Sequence, residues 1–276
     1  MTTLLRVKDQ ELTRRASRGT DPPRPRSATL KAGEAASAAG NCAARQSAQL
    51  PAFAPLMEEI EVAGWSSHRR QLSGNFHDWL LLGDGRLLVT VGKAVGVASC
   101  DPLEAVLVAQ AAWTAVRAHA LHARDAGTLL SLAARTLWAI PAANVHTCVA
   151  VALVDGVGGN ASLAIAGDAL VWRVRAATSE QLIGNQPPLG LVADASYRTH
   201  RLELALRERL LLVADEPLQR AGKLIGSIGA AFTQLDAESH RRMTAGDTVS
   251  LARHAYEGTV ENDCETSTSI VAVRRR

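Results

Sequence analysis

The sequence predicts an α+β domain in which two antiparallel sheets are flanked by helical layers. Three observations predict it. Apolar runs are joined by short Gly-rich turns, which favours antiparallel pairing over parallel crossovers. Two helical patterns follow each other with no strand between them, which assigns both to one layer over a sheet. A further helical pattern and a closing strand come after a β-rich stretch, and a second helical layer accommodates them.

Taken along the chain, residues 1–55 are rich in Ala, Arg, Ser, Gly and Pro and show no sustained apolar periodicity. Such a segment cannot bury enough surface to offset its ordering entropy, so a disordered basic tail is expected. Residues 1–50 hold nine Lys and Arg against four Asp and Glu, so the basic character of the chain sits in this tail. A nucleic-acid-binding or lipid-binding arm would add interleaved aromatics or an amphipathic pattern, and neither is present. The folded domain is expected over residues 56–276.

Residues 80–82 and 87–91 read as two strands about the turn Gly83-Asp84-Gly85. Asp101-Pro102-Leu103-Glu104 supplies a cap, Pro at the first helical position and a capping-box Glu, which predicts a helix over residues 103–124. A second helix is predicted over 128–140, ended by Pro141. Strands are predicted at 146–155 and 161–175 about Gly156-Val157-Gly158-Gly159-Asn160, then a strand pair at 201–206 and 209–214. A weaker helical pattern covers 217–243, and a final strand 268–273.

Composition limits the function classes. The 276 residues are 47% hydrophobic and 21% charged, enough apolar mass for a core. Cys42, Cys100, Cys148 and Cys264 are far apart with no C-x-x-C pair, which suits free thiols in a reducing compartment. No apolar run approaches the roughly 20 residues needed to span a bilayer, and no apolar segment follows the N-terminal arginines as in a signal peptide. A cytoplasmic protein with no membrane or nucleic-acid partner is expected.

The segments at the turns carry a more specific signal. Ser73-Gly74-Asn75-Phe76-His77-Asp78-Trp79 precedes the first hairpin, and Gly92-Lys93-Ala94-Val95-Gly96-Val97-Ala98 follows it. Later come Ala164-Ile165-Ala166-Gly167-Asp168, then Pro188-Leu189-Gly190-Leu191 with Tyr197 after it. Leu211-Leu212-Val213-Ala214-Asp215-Glu216 and Glu265-Thr266-Ser267-Thr268-Ser269-Ile270-Val271 close the series. In order and spacing these segments resemble the SpoIIE-type branch of the PPM family of metal-dependent Ser/Thr protein phosphatases. The corresponding family patterns are G-G-D-x-x-D, G-D-V-S-G-x-G, A-x-A-G-H, P-L-G-L, L-L-x-T-D-G and D-D-x-T-x-x-V. The resemblance covers nearly everything past the tail and implies an α-β-β-α sandwich.

It also implies a chemistry. Two divalent cations, Mn²⁺ or Mg²⁺, are held by aspartates, and a bridging water attacks a phosphoserine or phosphothreonine. Such hard cations take oxygen ligands, chiefly carboxylates. Here the ligand positions are altered. Asn75 stands for the leading aspartate of the first pattern, and Asp78 is kept at its second. Lys93 replaces the aspartate that bridges the metals. Asp215 is kept between Ala214 and Glu216, and Glu265 and Thr266 replace the final aspartate pair. A unit cation about 4 Å away repels another by roughly 4 kcal/mol at an effective dielectric of 20, and a divalent ion by about twice that.

The resemblance therefore implies a pseudophosphatase, a signal-transduction module that binds without metal or other cofactor. A phosphorylated anti-anti-sigma protein of the STAS type, or another phosphoprotein, is the partner the resemblance implies. The alternative is a weak serine/threonine phosphatase that holds Mn²⁺ or Mg²⁺ with Asp78, Asp215 and Glu265. In the metal-free reading Lys93 pairs with Asp78, Asp215 or Glu265.

Other candidates carry less. His119, His122 and Asp125 are spaced to share a helix face, which a solvated polar stripe explains as well as a metal site. His77 reads as a loop residue packed near Trp79 or as a substitute ligand. Asn160-Ala161-Ser162 matches a glycosylation sequon and also the end of a hairpin turn. Gly156 to Gly159 precedes no helix, so it is no phosphate-binding loop.

Overall fold

The computed structural model describes residues 46–67, 73–96, 102–140, 145–175, 178–215, 218–259 and 267–276. Among the described residues ten strands form two five-stranded sheets. The first contains β1 (Ile60–Ser67), β10 (Thr268–Arg275), β9 (Arg209–Asp215), β6 (Leu170–Val174) and β7 (Ser179–Leu182), in that spatial order. The second contains β2 (Asn75–Leu81), β3 (Arg86–Gly96), β4 (Val145–Asp155), β5 (Asn160–Ala166) and β8 (His200–Glu203). Every pairing is antiparallel, as the turn chemistry predicts. Helices α1 (Pro102–Ala120) and α2 (Ala126–Trp138) lie against the second sheet. Helix α3 (Leu218–Thr233) packs on α5 (Ala245–Thr259), which lies against the first sheet, with α4 (Ala237–Arg242) between them in sequence.

Three apolar layers separate these four. Phe76, Leu88, Val149 and Val151 of the second sheet meet Ala112, Val116, Leu130 and Ala134 of α1 and α2. The small side chains let the helix pair approach the strands closely. Val89, Val91, Leu163, Leu212 and Val271 fill the space between the sheets. Leu211, Val213 and Ile270 pack against Leu224, Ile228, Phe232 and Tyr256 on the outer side of the first sheet. Central strands such as β3 and β4 are apolar on both faces because both are covered.

The first hairpin forms as its turn predicts. Gly85 takes φ +85°, a region L residues avoid, and the Leu82 amide donates to the Arg86 carbonyl at 2.8 Å. Helix α1 starts at Pro102, while Asp101 lies outside the described residues. Asp125 caps α2 by accepting from the Thr128 amide at 2.9 Å.

Two sequence expectations need correction, and further elements lie outside the predicted ones. The run 161–175 is two strands, not one, and they belong to different sheets. The chain leaves β5 at Gly167, whose φ of +70° and position against the Cys148 thiol, 2.5 Å from where a Cβ would stand, admit only glycine. The expected strand pair near 201–214 is also divided, with β8 in the second sheet and β9 in the first. Strand β1 was not anticipated, because its mixed sequence IEVAGWSS lacks a clean alternation. Helix α5 was missed as well, although Thr244 and Asp247 form a capping box, the Asp247 amide donating to Thr244 Oγ1 at 3.1 Å and the Thr244 amide to Asp247 Oδ2 at 2.9 Å.

Candidate functional site

The start of β2 and the far half of β3 bring the altered ligand positions into register. Asn75 pairs directly with Lys93, and Lys93 on its other side with Cys148 of β4. Successive residues of a strand point to opposite faces. Trp79 and Val91 belong to the core between the sheets, which gives Asn75, His77 and Lys93 that same side. Phe76 and Leu80 pack toward α1, and Asp78 shares their side.

Asp78 is therefore engaged elsewhere. Its Oδ2 accepts from Trp113 Nε1 at 2.7 Å and from Arg117 Nε at 2.6 Å, both on α1. The guanidinium of Arg117 also lies 5.0 Å from the centre of the Trp113 ring. Burial raises the pKa of Asp78, against the lowering effect of the Trp113 hydrogen bond and the Arg117 charge. The expected approach of Lys93 to Asp78 gives way to this pair, because three residues along a strand is an odd step and reverses the face.

On the inter-sheet side a polar chain replaces apolar packing. Ser66 Oγ of β1 lies 2.7 Å from His77 Nδ1 and 2.6 Å from Ser269 Oγ of β10. His77 stands in β2 rather than in a loop, with its ring 5.5 Å from that of Trp79 as the sequence suggested. Asn75 is only 1% exposed, and among the described residues neither Oδ1 nor Nδ2 has a hydrogen-bond partner, while its backbone amide donates to Ser73 Oγ at 3.1 Å.

Lys93 is 3% exposed and shares its surroundings with Cys148, His146 and Asp168. Burial first, then the Asp168 charge and a hydrogen bond to it, push the Cys148 thiol up to about 12, with Lys93 acting in the opposite direction. Burial holds His146 below its ordinary value, Asp168 opposing this and Lys93 reinforcing it. Asp168 occupies the histidine position of the A-x-A-G-H pattern. In the sequence that segment marks only the fold, and nothing in it signals an acid that acts on Cys148 and His146 together with Lys93.

The remaining positions are distributed as follows. Asp215 ends β9, its backbone paired with Thr268. Glu265, Thr266 and the side chain of Asp215 lie outside the described residues. His119 bonds Thr136 Oγ1 at 2.8 Å and Asp125 is the α2 cap, so the first helix's polar stripe has structural partners.

A cleft of about 280 Å³ opens at the beginning of β2. Asn75, Phe76 and His77 line it together with Gln46, Gln49 and Leu50 of the preceding segment and the first half of α1. The Gln46 side chain anchors that segment, its amide nitrogen bonding the Ser73 carbonyl and its oxygen accepting from the Ser73 amide at 3.3 Å.

These side chains do not fit the metal pair of the resemblance. Asn75 Oδ1, a buried oxygen without a partner among the described residues, is neutral and stands across the ladder from a cation. The nearby retained acid, Asp78, faces away and is held by Arg117. Among the described residues no cluster of three His, Cys, Asp or Glu could hold a metal ion. None of the described helices is long and apolar enough to cross a membrane.

Comparison with known proteins agrees with this fold. Residues 83–269 match the family model described as stage II sporulation protein E (SpoIIE). The SiaA PP2C domain of Pseudomonas aeruginosa superposes with a TM-score of 0.65 at 16% identity, covering 88% of this chain and 98% of that one. The RsbU and RsbW domains of Rv1364c from Mycobacterium tuberculosis give 0.61 at 20% identity, over 81% of this chain and 64% of that one. The PP2C phosphatase domain of SpoIIE from Bacillus subtilis, with a fragment of its regulatory domain, gives 0.59 at 9% identity over 80% and 64%. No curated protein sequence matches.

Proposed function

The chain belongs to the SpoIIE family, with a PPM-type phosphatase fold, and on that premise we propose that it is a pseudophosphatase that acts by binding a signalling protein. The observation that carries the reading is the Asn75–Lys93 pair. A neutral amide and an ammonium stand where the family uses two carboxylates, and paired divalent cations need negative oxygen ligands. Asp78 adds to this, because its carboxylate already neutralises Arg117. The likeness to the RsbU and RsbW domains of Rv1364c favours a protein partner. A phosphorylated STAS-type protein is the partner class that follows from the family resemblance.

The test is turnover of p-nitrophenyl phosphate and of a phosphoserine peptide by the full chain in excess Mn²⁺. The expected result is no activity above a metal-free control. Mn²⁺-dependent turnover that Asp215→Asn abolishes would overturn the reading in favour of a residual metal enzyme.

A further inference from the structure

The start of β2 is held from outside both sheets. We propose that residues 46–50 form a releasable latch. They cover one side of the apolar cleft, pin the strand end that carries Asn75, and detach as a unit without unfolding the domain. The device is independent of the loss of metal chemistry.

Residues 46–49 form one helical turn, and the Leu50 amide donates to the Ser47 carbonyl at 3.2 Å. A single turn fixes many dihedrals for few hydrogen bonds and does not persist alone, so its order comes from what it touches. Two contacts supply that order. The Gln46 side chain spans the Ser73 backbone, its amide nitrogen donating to the carbonyl and its oxygen accepting from the amide at 3.3 Å. Leu50, with Gln46 and Gln49, lines the cleft together with Phe76, Leu107 and Trp113.

Ser73 passes the restraint on. Its hydroxyl accepts from the Asn75 amide at 3.1 Å, and the Gly74 carbonyl between them accepts from the Ala94 amide at 3.0 Å, next to Lys93. A Cβ on residue 74 would stand 2.7 Å from the Ala94 carbonyl oxygen, so the two strand ends lie in close contact. Gln46 therefore acts on the Asn75–Lys93 rung although it precedes Ser73 by 27 residues.

Little else holds the segment. Among the described residues no backbone-to-backbone hydrogen bond joins residues 46–57 to either sheet. Phe53 is 87% and Leu56 99% exposed, and the next polar anchor along the chain is the Phe53 carbonyl, which accepts from Trp79 Nε1 at 2.8 Å. A segment with few buried contacts opens at a lower free energy than the core. Opening frees the Ser73 amide and carbonyl and uncovers the wall built by Leu107 and Trp113. The strand then loosens at Asn75, while Val89 and Val91, buried between the sheets, stay paired.

Native-state hydrogen exchange on the full chain tests this. The Ser73 and Asn75 amides are expected to exchange about a hundredfold or more faster than those of Val89 and Val91. Gln46→Ala should speed the first two about tenfold and leave the second two unchanged. Nile red, an uncharged apolar dye, should bind Gln46→Ala several-fold better than the natural chain, and adding Leu107→Asp should cancel the gain. Exchange at Ser73 as slow as at Val91 in the natural chain, equal acceleration of all four amides in Gln46→Ala, or dye binding that neither substitution changes each overturns the proposal. The first of these needs no variant, so a substitution that folds poorly leaves the proposal falsifiable. Neither phosphate nor metal is present, so failure here leaves the pseudophosphatase reading standing.

Discussion

Arg209 is wholly buried, and its Nη2 donates to Nδ1 of the nearly buried His240 across 3.0 Å. The other ring nitrogen of His240 lies 2.9 Å from the Phe232 carbonyl, which fixes its proton on Nε2 and leaves Nδ1 as the acceptor. Burial, with Arg274 beside it, pushes the Arg209 guanidinium down to about 10. His240 thus ties α4 and the end of α3 to the first sheet only while it is neutral.

Burial first, and then Arg209, hold the His240 pKa below its ordinary value; the Phe232 carbonyl and Asp236 oppose them. A base whose folded pKa is depressed is protonated first in the unfolded chain. Its stabilising contribution is present above the unfolded pKa of about 6.5 and is lost as pH falls below it. Thermal melts from pH 7.5 to 5 should show a loss of stability that is shallower in His240→Gln (a window of ~2.5 units about the reference pKa). An identical slope in both proteins would refute the linkage.

The Asp78–Arg117 pair is asymmetric, with the carboxylate 1% and the guanidinium 38% exposed. Arg117→Ala should therefore cost more than Asp78→Asn, about 3 kcal/mol in urea unfolding, because it strands a buried carboxylate whereas the reverse change frees a group already near water. Equal costs would mean that the shared Trp113 bond dominates.

Restoring the acids should restore the cation. The double variant Asn75→Asp/Lys93→Asp places two carboxylates across one antiparallel pair, and calorimetric titration with Mn²⁺ should then detect binding tighter than that of the unsubstituted chain. Absence of binding in a variant with native-like circular dichroism would mean that this pair is not where the family's metals sit.

Cys148 should stay inert. A buried thiol pushed up to about 12 carries almost no thiolate at pH 8. Peptide mapping after iodoacetamide treatment should find Cys148 unmodified in the folded chain and alkylated in denaturant.

The Thr244–Asp247 box anchors α5 against β1 and β10. Thr244→Ala should cost about 1 kcal/mol. The effect should register in global unfolding, since Val249, Ala252 and Tyr256 of α5 belong to the outer core.

How far the sequence could be read follows from which signals are local. Turn glycines and caps foretold the first hairpin and the α1–α2 pair, because those features satisfy backbone groups within a few residues. The division of residues 161–175 between two sheets depends on a single glycine packed against Cys148, a contact between distant strands. The missed α5 carried its own capping box, so the signal was present and was outweighed by a weak apolar pattern. At the site, the motif order singles out Asn75 and Lys93, and strand register makes them neighbours across one ladder. Asp78 would have been placed on the opposite face by period two alone, had residues 75–79 been read as strand rather than loop. Its partners Trp113 and Arg117 depend on how α1 is rotated over the sheet, which no short pattern encodes.

The chain of Ser66, His77 and Ser269 has a consequence for how the molecule avoids misassembly. Strands β1 and β10 pair over eight residues, and the mixed sequence of β1 gives apolar alternation only a weak hold on that register. A shift of one residue would turn Ser66 to the other face and break its contacts with both the imidazole and the Ser269 hydroxyl. The three polar groups thus act as a key cut for one alignment, and their worth lies less in holding the sheets together than in making every neighbouring alignment worse.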